Sequence, residues 1–241
     1  MHLSVIIPAY NEAKRIGVTL QAVCDHLRTR PYGWEVVVVD NRSTDDTAAV
    51  VAKQAEVCPQ IRIEREERPG KGYAVQHGML AARGQYRLFM DADHSTTIDH
   101  VDRMLPYMDE GYDVVIASLA VPGASVLREG REPFWRVVLG KLGNKWIQVF
   151  AVWGINDTQR GFKLCSDRAT NDIFPYLTIF GWGFDVEMLA LARLRGYRIK
   201  EVPVVRWNNA PDSKVNFWAY PQVLMQTLQV FWNRIRGTYR R

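Results

Sequence analysis

Short runs of β-branched and other apolar residues alternate with stretches of helical periodicity through the first half of the chain, and few folds accept that order. Residues 3–8 read as a buried strand, 34–40 as a second, 61–63 as a short third, 86–90 as a fourth and 113–117 as a fifth. Between them the spacing predicts helices over 12–27, 44–57, 72–82 and 98–108. Strands without a polar face are covered on both sides, and strand–helix–strand crossovers force parallel pairing. The expectation is α/β: one mostly parallel sheet with helices on both faces, its ligands lying beyond the carboxyl ends of the strands.

The second half is less regular. Residues 119–133 mix Pro, Gly, Ser and charges without a period and predict a mobile loop. An apolar helix carrying Arg136, Lys141 and Lys145 is expected over 134–153, another over 183–195, a strand over 197–207 and a last helix over about 217–235. In that last helix Phe217, Tyr220, Leu224, Leu228, Phe231 and Ile235 form a stripe expected to pack on the domain. Trp218, Met225 and Trp232 make a second row, and Arg234, Arg236, Arg240 and Arg241 close the chain. Aromatics with a basic end suit a helix lying among lipid headgroups; a broad core-facing helix with a solvated tail has the same pattern. The division expected is a domain over 1–210 and, over 211–241, a C-terminal helix and basic tail packed on the domain or on a membrane surface.

Composition narrows the classes. With 241 residues and 47% hydrophobic content the chain can bury a substantial core. A net charge of +5 is too small to argue for nucleic acid, and no recognition helix, stacking motif or zinc pattern supports it. The three cysteines, Cys24, Cys58 and Cys165, are odd in number and scattered, so reduced structural thiols are expected rather than a disulfide framework or a zinc site. The first apolar run is too short for a secretory leader, and no stretch approaches the ~20 residues of a membrane span. A cytoplasmic protein, peripheral on the cytoplasmic face of a membrane if it meets one, is the expectation.

Four polar clusters follow predicted strands. Met90-Asp-Ala-Asp93 leaves the fourth, and two carboxylates two residues apart can share a hard divalent cation bridging a diphosphate. Two solvated turn carboxylates would look the same. Pro8-Ala-Tyr-Asn-Glu12 leaves the first strand and Asp40-Asn-Arg-Ser-Thr-Asp45 the second, each equally suited to capping the next helix. Arg68-Pro-Gly-Lys-Gly72 precedes a helix whose N-terminus favours anions, or is a plain Gly-rich turn. All four fall on one sheet edge in the order a nucleotide-diphosphate pocket needs.

Those motifs resemble family 2 glycosyltransferases. Val5-Ile-Ile-Pro-Ala-Tyr-Asn-Glu12, Gly70-Lys-Gly72 and Asp91-Ala-Asp93 match in order and spacing, and residues 40–45 match the Asp-Asp-Gly-Ser-x-Asp element, from which Asn41 and Arg42 depart. Downstream, Asn156-Asp-Thr-Gln-Arg-Gly-Phe-Lys163, Trp182-Gly-Phe-Asp-Val-Glu187 and Trp207 with Ser213-Lys-Val215 resemble dolichyl-phosphate β-glucosyltransferases, whose plan the dolichyl-phosphate mannose synthases largely share. The resemblance implies a GT-A (Rossmann-like) fold and inverting transfer of a hexose, glucose before mannose, from UDP-glucose or GDP-mannose to a polyprenyl or dolichyl phosphate. A family 2 transferase with a soluble or polysaccharide acceptor is the alternative. Mg²⁺ or Mn²⁺ is the implied cofactor, on Asp91 and above all Asp93. Pro8, Tyr10 and Glu12 would line the nucleoside pocket, Asp40 would lie near the base, and Lys71 and Ala92 near the donor. Asp157 and Gln159 would face the sugar, Asp157 being the one base if a base is used, and Ser213 and Lys214 would close over the donor phosphates. Leu119 stands where the family usually has an acceptor-binding Arg, so Arg136, Arg128, Arg131 or Arg160 would supply that charge. Oligomeric state is not legible.

Overall fold

The computed structural model describes residues 1–127, 134–208 and 219–239, without the side chains of 126, 127, 134–139, 141, 206–208, 219 and 220. The chain runs β1 (Leu3–Ala9), α1 (Ile16–Arg28), β2 (Trp34–Asp40), α2 (Thr47–Val57), β3 (Ile61–Arg65), α3 (Lys71–Ala81), β4 (Tyr86–Met90), α4 (Val101–Asp109), β5 (Val114–Ser118), β6 (Ser125–Leu127), α5 (Phe134–Phe150), β7 (Phe162–Ser166), α6 (Asp167–Ile173), α7 (Phe184–Leu194), β8 (Ile199–Pro203), β9 (Val205–Asn208) and α8 (Ala219–Ile235). Seven strands form one sheet in the order β3-β2-β1-β4-β7-β5-β8, all parallel except β7, which runs antiparallel to both β4 and β5.

The two-residue period of the strands divides the core into two layers. Leu3, Val5 and Ile7 of β1, Val36 and Val38 of β2, and Leu88 and Met90 of β4 join the layer containing Ile16, Leu20 and Leu27 of α1 and Met104 of α4. Ile6, Val37, Val39 and Phe89 point the other way, into the layer built from α3, α5, α6, α7 and α8. Helices therefore cover both faces, and β1, β2, β4 and β5 are buried along nearly their whole length.

Three expectations change. The segment 119–133 is not loop throughout, because β6 pairs in parallel with β9 as a separate two-stranded ribbon. The single strand over 197–207 is two strands, since Val204 N–H turns aside to donate to Ser118 O at 3.0 Å. In α8 the buried positions are Val223, Thr227 and Val230, whereas Ile235 of the expected stripe is exposed and Leu224, Leu228 and Phe231 are half-buried. α5 and α7 flank α8, and their placement rotates the face it buries. Phe217 and Trp218 lie outside the described residues.

β7 decides what reaches the functional edge. Being antiparallel, it brings its amino end, Phe162 beside Met90, to the edge where β1, β2 and β4 end. The segment entering β7 thus joins the loops that leave the parallel strands.

Candidate active site

The loops leaving β1 and β2 are tied together by polar side chains. Asn11 N–H donates to Ser43 Oγ at 3.0 Å, Glu12 N–H to Thr47 Oγ1 at 2.8 Å, and Thr44 N–H to Asn11 Oδ1 at 2.8 Å. Asp45 accepts from Ala13 N–H at 3.1 Å and from Thr47 N–H at 3.0 Å. These bonds hold the first turn of α2 against the β1 loop, so α1 and α2 begin at Ile16 and Thr47 rather than where periodicity alone starts them. Pro8 is half-buried at the end of β1, Tyr10 is half exposed, and Glu12 pairs with Arg15.

The two departures from the family element acquire a physical account. Asn41 is buried and donates through Nδ2 to Glu66 O at 2.9 Å and Arg68 O at 2.7 Å, while its Oδ1 accepts from Gly70 N–H at 3.0 Å. It fastens the β3–α3 loop to the end of β2, a task needing a donor and an acceptor on one side chain. Arg42 has φ of 64°, the left-handed region, where the family motif carries glycine. Asp40 is buried beside them and accepts from Ser43 N–H at 3.1 Å.

The glycine loop is clamped from outside. A Cβ on Gly70 would stand 2.8 Å from Phe180 O and one on Gly72 2.7 Å from Phe180 Cα, while Gly72 N–H donates to Phe180 O at 3.0 Å. Tyr73 stacks on Phe180 with ring centroids 3.7 Å apart, and the Arg68 guanidinium lies 4.4 Å from the Tyr73 ring. The 178–183 segment is held in turn by α7 and α8: Gln226 Oε1 accepts from Gly183 N–H at 2.7 Å, and buried Glu187 accepts from Thr178 N–H and Ile179 N–H, both at 2.8 Å.

Lys71 leaves this clamped loop and reaches Asp91, with Nζ 2.5 Å from Oδ1. Burial pulls the Lys71 ammonium down, but Asp91, Asp185 and Asp93 outweigh it and leave it raised and charged. Asp91 N–H donates to Gly161 O at 3.1 Å, and a Cβ on Gly161 would fall 2.1 Å from Asp91 Oδ2. The carboxylate rests on that glycine. Ala92 is buried, its carbonyl accepting from Thr19 Oγ1 at 2.7 Å, and Asp93 Oδ1 accepts from Ser95 N–H at 3.0 Å. His94, at φ 56°, turns the chain between them and accepts from Ile98 N–H at 3.4 Å; burial holds its pKa low, keeping it a neutral acceptor.

Behind this pair lies a second. Lys163 is fully buried, its Nζ 2.5 Å from Asp185 Oδ1 and 2.5 Å from Arg160 O. Burial pushes the Asp185 carboxyl up, against the opposing pull of Lys163 and Lys71. Sequence reasoning did not single these residues out, because a lysine inside a short strand and an acid in a first helical turn look ordinary.

Asp157 and Arg160 form an ion pair at 3.2 Å, and the same Asp157 oxygen accepts from Leu119 N–H at 3.0 Å. Glu201 of β8 receives the backbone N–H groups of Asn156 and Asp157 at 2.9 and 3.0 Å, which fixes the turn. Gln159 is exposed and donates to Trp182 O at 3.3 Å. The structure thus brings together Pro8, Tyr10, Glu12, Asp40, Lys71, Asp91, Ala92, Asp93, Asp157, Gln159 and Arg160 on the loops of one sheet edge. Arg136 belongs to α5 with an undescribed side chain, and Arg128, Arg131, Ser213 and Lys214 lie outside the described residues.

Asp91 and Asp93 offer oxygen ligands at a strand end, the donor set of Mg²⁺ or Mn²⁺. Among the described residues no three His, Cys, Asp or Glu side chains converge, so such a cation would complete its shell from diphosphate and water oxygens. The residues fit a metal that arrives with its nucleotide.

Comparison with known proteins gives the family and the fold. Residues 4–174 match the sequence profile described as "Glycosyl transferase family 2". Dolichyl-phosphate beta-glucosyltransferases are similar: 35% identity for one from Trichomonas vaginalis (95% of this chain, 71% of that one), and 30% for that of Homo sapiens (99% and 77%). The mannosyl-3-phosphoglycerate synthase of Rubrobacter xylanophilus shares the fold with a TM-score of 0.72 at 17% identity (100% of this chain, 76% of that one). So does the glucosyl-3-phosphoglycerate synthase of Mycobacterium tuberculosis in complex with Mn²⁺, UDP and glucosyl-3-phosphoglycerate, at 0.66 and 18% (97% and 79%).

Proposed function

The chain belongs to glycosyl transferase family 2, and from that premise we propose that it transfers glucose from UDP-glucose to a dolichyl or other polyprenyl phosphate at the cytoplasmic face of a membrane. One observation carries the reading. Relatives named as dolichyl-phosphate beta-glucosyltransferases align over nearly the whole chain, including the Asn156–Lys163 and Trp182–Glu187 segments, which are joined by the Lys163–Asp185 ion pair.

The nucleophile is a phosphate oxygen, anionic at neutral pH, so little proton abstraction is needed. Catalysis rests on alignment and on stabilising the departing diphosphate. In one displacement the acceptor oxygen bonds to the anomeric carbon, the bond to the diphosphate breaks, and UDP leaves with the electron pair, inverting an α-linked donor to a β-linked product. Asp91 and Asp93 would hold Mg²⁺ or Mn²⁺, which supplies charge neutralisation for the leaving diphosphate. Pro8, Tyr10 and Glu12 line the nucleoside side, Asp40 lies near the base, and Lys71 stands at the diphosphate. Gln159 faces the sugar. Asp157, tied to Leu119 N–H and Arg160, orients Arg160 toward the acceptor phosphate rather than abstracting a proton. Arg128, Arg131 and Arg136 would add charge to that subsite, and Ser213 and Lys214 would close over the donor.

A donor panel tests this. Purified protein with polyprenyl phosphate, Mn²⁺ and radiolabelled UDP-glucose should move label into the organic phase, and GDP-mannose should not. Label that enters only water-soluble or polysaccharide product would reject the lipid acceptor in favour of the alternative family chemistry.

A further inference from the structure

Two ion pairs lie within electrostatic reach of one another: Lys71 with Asp91, and Lys163 with Asp185. The outer contact, Lys71 Nζ to Asp91 Oδ1, is 2.5 Å, as is the inner one, Lys163 Nζ to Asp185 Oδ1. The inner pair is buried, with side chains 0% and 5% exposed. A buried ion pair is weak evidence for stability, since apolar residues of similar volume usually serve a core as well. Its place directly behind the donor loop suggests another use.

Lys71 would be pushed from its contact by a divalent cation on the same carboxylate, whose charge repels the ammonium at short range. Its backbone cannot follow, being clamped at Gly70 and Gly72 against Phe180. Only the side chain is free to move, and Asp185 lies within electrostatic reach of it.

Resting on the transferase reading, we propose that Lys71 is a stand-in cation for Asp91 in the nucleotide-free protein, released by the incoming metal and diphosphate, and that Asp185, anchored by Lys163, positions its ammonium between the two states. The stand-in spares the carboxylates mutual repulsion when no metal is bound. After release the same ammonium is available to the diphosphate, so metal and nucleotide binding are coupled through one side chain.

The coupling has a sign that a simple phosphate-binding lysine lacks. Lys71→Met should bind Mn²⁺ more tightly than wild type without nucleotide, by roughly tenfold, because a competing charge is gone. The same variant should bind UDP more weakly in the presence of Mn²⁺. Lys71→Arg, which keeps the charge, should stay near wild type in nucleotide-free Mn²⁺ affinity. Removing the inner pair by Lys163→Met with Asp185→Asn should weaken UDP binding in wild type but not in a Lys71→Met background. Mn²⁺ binding would be followed by electron paramagnetic resonance of the free ion and UDP binding by calorimetry, with thermal unfolding confirming each fold. Binding of Mn²⁺ by Lys71→Met where wild type binds none supports the proposal. Unchanged or weaker nucleotide-free affinity in Lys71→Met, no binding by either protein, or equal effects of the inner pair in both backgrounds would overturn it. Wild type that binds neither UDP-glucose nor UDP with Mn²⁺ would instead reject the transferase reading itself.

Discussion

Asp93 leaves β4 half-buried, with its Oδ1 held by Ser95 N–H. Asp93→Ala should therefore lose lipid-linked transfer by at least about 10²-fold while thermal unfolding stays near wild type; retained turnover removes the metal assignment. Gly161 makes a sharper case, since its importance belongs to another residue. Gly161→Ala would drive a methyl into the Asp91 carboxylate and should depress transfer with only a small stability loss, whereas Gly140→Ala, with open space around its Cβ, should leave both intact. Glu66 gives a pH-dependent readout of the glycine loop. The Arg68 guanidinium, joined by backbone and His77 contacts, holds its carboxyl at about 2 against an ordinary 4.5. A lowered folded value adds stability that is present above the unfolded value and lost as pH falls from about 4.5 toward about 2. Glu66→Gln should thus be less stable than wild type near neutral pH by roughly 1 kcal/mol, the half-exposed Arg68 limiting the effect. The two denaturation curves should converge in acid, and a constant gap contradicts the assignment. At this scale Asp91, Asp93 and Lys71 were legible because strand ends announce them. Asn41, Gly161 and Asp185 were not, because each acts on a partner far away in sequence.

Elements divide along the same line. β1, β2 and β4 are buried along nearly their whole length and read as apolar runs, so their presence and the edge their loops share follow from sequence, while their order in the sheet does not. β7 escaped because Lys163 interrupts its apolar pattern and its antiparallel course has no local signal; only its neighbours β4 and β5 define it. α8 shows how packing selects among faces that periodicity leaves open. It buries Thr227 between Val223 and Val230, with Thr227 Oγ1 donating to Val223 O at 2.8 Å, so a polar side chain sits where an apolar stripe was expected elsewhere. The chain beyond α8 is fastened by Tyr239, whose hydroxyl donates to buried Glu187 at 2.6 Å. Tyr239→Phe should cost about 1–2 kcal/mol in urea unfolding. Glu187→Ala should cost about 3 kcal/mol or more by stranding the donors of Thr178 and Ile179, and it should also raise the apparent KM for donor, because that segment backs the glycine loop. Equal small effects from both would mean the C-terminal turn is not tied to the site.

Across the whole molecule, α5 and α8 pack together, and large apolar side chains on α8 and in the turn after α5 stay outside: Trp153 is 75% exposed, Met225 64% and Trp232 51%. Among the described residues no helix is long and apolar enough to cross a membrane. Exposed Met225 and Trp232 on α8, with Arg234 and Arg236 next in sequence, suit a headgroup interface, so Met225→Ser with Trp232→Ser should reduce co-sedimentation with anionic vesicles several-fold while leaving turnover of a detergent-dispersed short-chain acceptor. Undiminished vesicle binding would place the membrane contact elsewhere. The general plan of the sheet and of the edge where its loops gather was readable from alternation and motif order, whereas the covering of each face depends on how distant helices meet. The most direct measurement is an anomalous-scattering map from crystals grown with Mn²⁺ and UDP-glucose. A manganese peak within bonding distance of Asp93, bridged to the diphosphate, is the expected result; UDP-glucose bound without metal at that edge, or a manganese site away from β4, would contradict the central claim.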